Sequence, residues 1–242
     1  MIYDLEFNGV FWLGEENSLE FREWDDSIGE IKACVFTRPD CGGFLIERVD
    51  FNSVKSREKF LLECEKWIPA DIDEVNVDFE VVGDSTFVGW VKRGKIEELR
   101  EKFGDGFVVV PREYIFLLAI NFMVSANIIE EKAVAVDSIG SEILIGFFEG
   151  GIREIFSFKK EFADSDSFSL SIMKKVLPHH FNDEVSIYLP KYSLNSLFVR
   201  DFVKLFGNTK FFEDIDLFKN SVFNENRPLS YLLAIRGGVF GD

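Results

Sequence analysis

Apolar residues recur first at every second position of the chain and later at every third or fourth, and the switch between these periods outlines its elements. Residues 2–6, 10–13 and 19–24 read as short strands, with Asn8-Gly9 as a hairpin turn. A β-rich run over 31–37 is closed by Arg38-Pro39-Asp40 and Cys41-Gly42-Gly43, and 44–51 continues as strand. Phe60, Cys64 and Trp67 then fall at helical spacing, with Asn52 or Ser53 as cap and Pro69 as stop. In 75–82, Val75, Val77, Phe79 and Val81 alternate with Asn76, Asp78 and Glu80, the signature of a half-buried strand, and 86–91 is its partner.

Beyond that strand pair, 95–103 predicts a helix with Ile96, Leu99 and Phe103 on one face. Glu98 and Lys102 make an i, i+4 pair on it, and Gly104 is its left-handed cap. The apolar run 107–110 predicts a strand covered on both faces. Pro111 at the first helical position opens a helix whose residues 114–124 are apolar almost all round, so it is expected between layers. Residues 132–158 predict a three-stranded meander that turns at 138–141 and at Gly150-Gly151. Helices near 167–176, 195–205 and 227–235 alternate with strands at 185–189 and 210–212. Strands first, then helix and strand in turn, and the same order again: an α/β chain with two related halves.

Composition narrows what such a body can do. With 242 residues, 47% of them apolar, the chain is long enough to bury a sizeable core, and its 28 phenylalanines read as core filling. Its net charge of −16 repels phosphate backbones and argues against nucleic acid as a partner. Cys34, Cys41 and Cys64 make an odd count without metal-site spacing, and the histidine pair His179-His180 reads as a surface turn. The first residues lead to the expectation of no signal peptide, and the longest apolar run, 114–124, falls short of the roughly 20 residues that cross a bilayer.

One stretch carries a resemblance. Phe44-Leu45-Ile46-Glu47-Arg48-Val49-Asp50-Phe51, a helix running into Trp67-Ile68-Pro69, and the strand Glu74-Val75-Asn76-Val77-Asp78-Phe79-Glu80-Val81 follow in order. They resemble the inserted subdomain of the type IV pilus assembly protein PilM and of its relative, the cytoplasmic part of the secretion protein GspL. Ala133-Val134-Ala135-Val136-Asp137-Ser138-Ile139-Gly140-Ser141 is similar to the second phosphate-loop hairpin of actin-fold proteins. Leu232-Leu233-Ala234-Ile235-Arg236-Gly237 is similar to the C-terminal helix of the pilus members. The resemblance covers nearly the whole chain and thins at 24–31, where the family's long helix has no room.

It implies a shortened actin-like (ribonuclease H-like) two-lobed fold. Residues 1–43 and 106–126 would form lobe I, 44–105 an inserted FtsA/PilM-type subdomain, and 127–242 lobe II. It also implies a cytoplasmic scaffold, peripheral to the inner membrane through its partners, that docks a bitopic PilN/GspM-like protein between the inserted subdomain and the lobe carrying 114–124. Contact with the hexameric secretion ATPase and homodimerisation are further expectations of the same resemblance.

Actin-fold ATPases hold Mg-ATP between two hairpins, each with an Asp, and pack the nucleotide on a Gly-rich turn. Here Asp4 of the first hairpin and Asp137, Gly140 and Ser141 of the second are the remnant loop residues. Glu6 replaces a glycine and Phe7 a hydroxyl residue, and no glycine follows the strand at 185–189. A carboxylate about 4 Å from a phosphate charge costs roughly 4 kcal/mol at an effective dielectric near 20. The expectation is therefore no cofactor and no ATP hydrolysis. Asp137–Ser141 also reads as a plain hairpin turn, and the alternatives are a nucleotide-binding ATPase of the same fold or an FtsA-like filament protein.

Other motifs carry less. Gly89 to Gly94-Lys95 has P-loop spacing, but Ile96 stands where a metal-binding hydroxyl is needed, so a turn between strand and helix is the better reading. Glu130-Glu131 reads as a solvated loop, and Asp164 with Asp166 as a helix cap.

Overall fold

A computed structural model of the chain describes residues 1–14, 18–37, 41–47, 57–64, 66–82, 85–159, 185–191, 208–218, 223 and 226–237. Two five-stranded sheets share one strand order. The first runs β3 (Leu19–Glu23), β2 (Gly9–Leu13), β1 (Ile2–Asp4), β4 (Ala33–Phe36), β8 (Val108–Pro111). The second runs β11 (Ile152–Lys159), β10 (Glu142–Glu149), β9 (Lys132–Ile139), β12 (Ser186–Leu189), β13 (Thr209–Phe211). In each, an antiparallel meander is continued by two parallel strands, β1–β4–β8 and β9–β12–β13. The two halves expected from the element order are this duplication.

Between the sheets lies a helical layer of α3 (Arg112–Ser125) and α4 (Leu229–Arg236), separate from α1 (Arg57–Cys64) and α2 (Arg93–Phe103). Ile115, Leu117 and Ile120 of α3 and Leu232 and Leu233 of α4 share one buried cluster with Ile2 and Phe11 of the first sheet. Ala133, Ala135 and Leu144 of the second sheet complete it. A helix with a sheet on each side needs apolar residues all round, which is why α3 lacks a polar face.

The outer face of the first sheet is covered by α2, whose Leu99 packs with Tyr3, Val10 and Cys34. The division at 44–105 expected from sequence thus includes a helix whose buried face belongs to the first sheet. Lys102 does not pair with Glu98: it donates to the Tyr3 hydroxyl at 2.8 Å and lies over the Trp24 ring, while Glu98 pairs with Lys95 at 2.6 Å. The short connection at 24–32 lays Trp24, Ile28 and Ile31 against the same cluster, in place of a helix.

A third sheet, β5 (Gly42–Glu47), β7 (Ser85–Lys92), β6 (Val75–Val82), carries α1 and is inserted between β4 and β8. Phe60 and Cys64 of α1 pack on Val75, Val88 and Trp90. Helix α1 ends at Cys64, short of Trp67, and its expected caps, Asn52 and Ser53, lie outside the described residues. So do the helices expected near 167–176 and 195–205, the His179-His180 pair, Asp164, Asp166 and the Arg38-Pro39-Asp40 turn. Gly89 sits in mid-strand and Gly94 in the first turn of α2, so no loop joins them. All three cysteines are buried; burial pushes Cys34 up to about 12 and Cys64 to about 11, so both stay protonated.

Candidate functional site

Two recesses flank the start of α3. The first is the cleft where the hairpin tips of the two sheets meet. Strand β1 ends at Asp4, earlier than the residue 6 expected, and residues 5–8 turn back with Asn8 at φ +47°. Asp4 Oδ1 accepts the backbone N–H groups of Glu6 at 2.9 Å and Phe7 at 3.2 Å, which fixes that turn. The second tip is Gly140-Ser141, between β9 and β10.

Arg112 ties these tips together. Its side chain has no exposed surface. Nε donates to Asp4 Oδ2 at 3.0 Å and Nη2 to Asp4 Oδ1 at 2.8 Å, a bidentate pair of the strong kind. Nη1 binds Glu6 and donates to the Ile139 carbonyl at 3.3 Å, and Glu142 lies 3.6 Å away. Burial works against the guanidinium's charge, but the Asp4 and Glu6 carboxylates outweigh it and raise its pKa further. The Tyr231 hydroxyl of α4 donates to Asp4, and burial in this setting holds that phenol far above its usual range.

Asp137 and Ser141 complete the junction. The Asp137 carboxylate is buried and accepts the Ser230 N–H at 2.9 Å, the Ser138 N–H at 2.9 Å and the Ser230 hydroxyl. Burial pushes Asp137 up to about 6 against those hydrogen bonds. Ser141 Oγ donates to Glu6 Oε1 at 2.7 Å, across the gap between the sheets. Gly140 has φ +56°, and a Cβ there would meet the Phe7 ring at 3.1 Å and Glu6 Oε1 at 3.3 Å.

The four sequence-predicted site residues therefore lie at one junction, but they face partners of their own chain. Asp4 is bound by Arg112 and Tyr231, Asp137 caps α4, Ser141 bonds Glu6, and Gly140 gives Phe7 and Glu6 room. The residues present do not fit a nucleotide's phosphates: the space between the tips holds Glu6, Phe7 and Arg112, and the Arg112 guanidinium and Ser141 hydroxyl are already engaged. Repulsion by Glu6, the reason offered by the sequence, is the lesser effect, because Glu6 is paired with Arg112. Filling is the greater one. At the end of β12, where a glycine turn was sought, the Lys191 N–H donates to both Glu213 oxygens at 2.9 Å.

Arg112, Ser230 and Tyr231 escape a motif search. Arg112 had a legible signal: it is the one basic residue between Lys102 and Lys132, set between an apolar strand and an apolar helix. Glu130 is not a free loop carboxylate either. It accepts from Lys210 Nζ at 2.6 Å and Ser186 Oγ at 2.8 Å, bonds that hold it below the usual carboxylate range.

The second recess is a groove of about 1020 Å³ between the inserted sheet and the first sheet. Consecutive residues line it on both sides, Val75 to Glu80 of β6 and Phe107 to Pro111 in and before β8. Only alternate residues share a strand face, so consecutive lining means that the strand edges border the groove. Both strands are terminal in their sheets among the described residues. On the floor, Phe87, Gly89 and Val91 present one face of β7. Tyr114 of α3 closes one end by donating to Glu80, and Arg93, Arg100 and Asp105 stand near the other. The expectation that 107–110 is covered on both faces fails here, since β8 is an edge strand with Val108 46% exposed.

No family model and no curated protein matches the sequence. Solved structures do match in shape. A chain of the PilM-PilN type IV pilus biogenesis complex aligns with TM-score 0.56 over 97% of each chain, at 13% identity. The chain has an actin-like fold. A Bacteroides thetaiotaomicron protein of actin-like ATPase fold and unknown function aligns with TM-score 0.55 at 12% identity, over 88% of this chain and 90% of its own. The cytoplasmic domain of EpsL, an inner-membrane component of the Vibrio cholerae type II secretion system, aligns over 81% of this chain and 84% of its own, with TM-score 0.46 and 14% identity. Among the described residues no helix is long and apolar enough to cross a membrane.

Proposed function

We propose that this actin-like chain is a non-catalytic assembly scaffold of a type IV pilus or secretion apparatus, and that it docks an extended peptide of a bitopic PilN/GspM-like inner-membrane protein in the groove between β6 and β8. The observation that carries the reading is that two strands, each terminal in its sheet among the described residues, border one apolar-floored groove. An added strand would satisfy the backbone N–H and C=O groups of an edge, while its alternate side chains reach the floor. The similarity to a chain of the PilM-PilN complex supports the kind of partner. Asp78 and Glu80 at the rim, within a chain of net charge −16, suit a Lys/Arg-rich segment of that partner. The groove proposed here is narrower than the region expected from sequence: on the lobe side it is β8 and Tyr114, not the whole of α3.

Gly89 supplies the test. A Cβ at this position would meet nothing nearer than the Phe87 ring at 3.7 Å, so a larger side chain can stand on the groove floor without disturbing the sheet. Titrating the full chain with a synthetic cytosolic peptide of a co-encoded bitopic protein should give saturable binding, and Gly89→Leu should weaken it at least tenfold. Absence of binding, or equal binding by Gly89→Leu, would count against the groove.

A further inference from the structure

At the lobe junction several carboxylates share the buried guanidinium of Arg112. Asp4, Glu6 and Glu142 gather around Arg112, and Glu113 lies close enough to Glu142 to repel it. The guanidinium spends its nitrogens on Asp4, Glu6 and the Ile139 carbonyl. At 3.6 Å from Nη1, Glu142 is attracted to Arg112 without a well-formed hydrogen bond, and its Oε2 is buried with no hydrogen-bond partner among the described residues. We propose that this junction is a proton-linked clasp, an intramolecular lock between the two hairpin tips that tightens when Glu142 takes up a proton and slackens when it ionises. The clasp does not depend on what the groove binds.

The lock is built across the lobes. Arg112 belongs to the first lobe and reaches Ile139 and Glu142 of the second, and Ser141 of the second donates to Glu6 of the first. The groups that face Glu142 are Arg112 and Glu113 from α3, Glu6 from the first turn and, across the strand register, Lys159 of β11 and Ile139 of β9. Protonation removes its repulsion with Glu6 and Glu113 and leaves Arg112 to the other two carboxylates. Burial, helped by those two neighbours and opposed by Arg112, moves Glu142 from its ordinary 4.5 up to about 7. A carboxyl raised in the folded state contributes stability that is fully present below about pH 4.5 and lost as the pH rises through about 7. Asp137 has the same sign but is raised only to about 6, so the clasp is assigned by substitution and not by the profile alone.

Hydrogen exchange followed by mass spectrometry on the full chain, corrected for the intrinsic pH dependence of exchange, reads the clasp directly. Peptides covering the tips at 5–8 and 139–142 should exchange several-fold faster at pH 8 than at pH 6, while α2 stays unchanged. Glu142→Gln, close to the protonated form in shape and charge, should bring the ratio at the tips below twofold. Ser141→Ala, which deletes one bond between the lobes, should speed exchange at both pH values and keep the wild-type ratio. A flat wild-type profile, the wild-type ratio persisting in Glu142→Gln, or unchanged tip exchange in Ser141→Ala would overturn the proposal.

Discussion

The cleft and the groove lie on opposite sides of the first turn of α3, and they differ in what is left unsatisfied. Arg112 turns into the cleft, where every described nitrogen of its guanidinium has a protein partner. Two residues on, Tyr114 turns into the groove, where β6 and β8 are the terminal strands of their sheets among the described residues. The cleft has the greater density of charged side chains and would attract any search for catalytic groups. Its charged groups are largely spent on one another, however, and a buried network engaged to that extent leaves little for a ligand. The groove carries its charged groups, Asp78, Glu80, Arg93, Arg100 and Asp105, at its rim and ends, and offers backbone donors and acceptors beside apolar floor residues, which is what an incoming strand requires.

The contrast can be broken most forcefully at Arg112. Replacing it by Met leaves Asp4 buried without its cation and should cost about 3–5 kcal/mol, measured by denaturant unfolding. Adding Asp4→Asn should recover part of that loss, because a buried pair removed together is often nearly neutral. A loss below about 1 kcal/mol for Arg112→Met would mean that the network is incidental to stability. A smaller effect is expected at Gly140, whose φ of +56° disfavours a side chain and whose Cβ would crowd Phe7 and Glu6. Gly140→Ala should cost about 1–2 kcal/mol from backbone conformation alone, with the crowding in addition. Smallest of all, Gly89→Leu should leave unfolding within about 0.5 kcal/mol of wild type, as surface changes away from the core do, even as it removes peptide binding. Together the three variants separate a recess that holds the chain together from one that does not.

Much of the fold was legible in the pattern. The meanders, the all-apolar α3 and the repetition of one element order are local signals, and the two sheets follow from them. What sequence periodicity could not supply was the long-range partner of each polar residue. Lys102 was matched with Glu98 by helical spacing, yet it binds Tyr3, because a helix face looks inward as well as along itself. Strand 107–110 reads as doubly covered because apolar runs look alike in central strands and in edges that border a groove. The four remnant loop residues could be named from a resemblance, whereas Ser230 and Tyr231, far along the chain, meet Asp137 and Asp4 only after both lobes close. Arg112 lay between these cases: its isolation among apolar residues announced burial, and burial required a carboxylate.

The central claim is that the cleft is occupied by the chain itself, and calorimetric titration of the full chain with Mg-ATP tests it most directly. The account predicts no saturable heat up to millimolar nucleotide. Saturable binding clearly tighter than millimolar, lost on replacing Asp4 or Asp137, would contradict it.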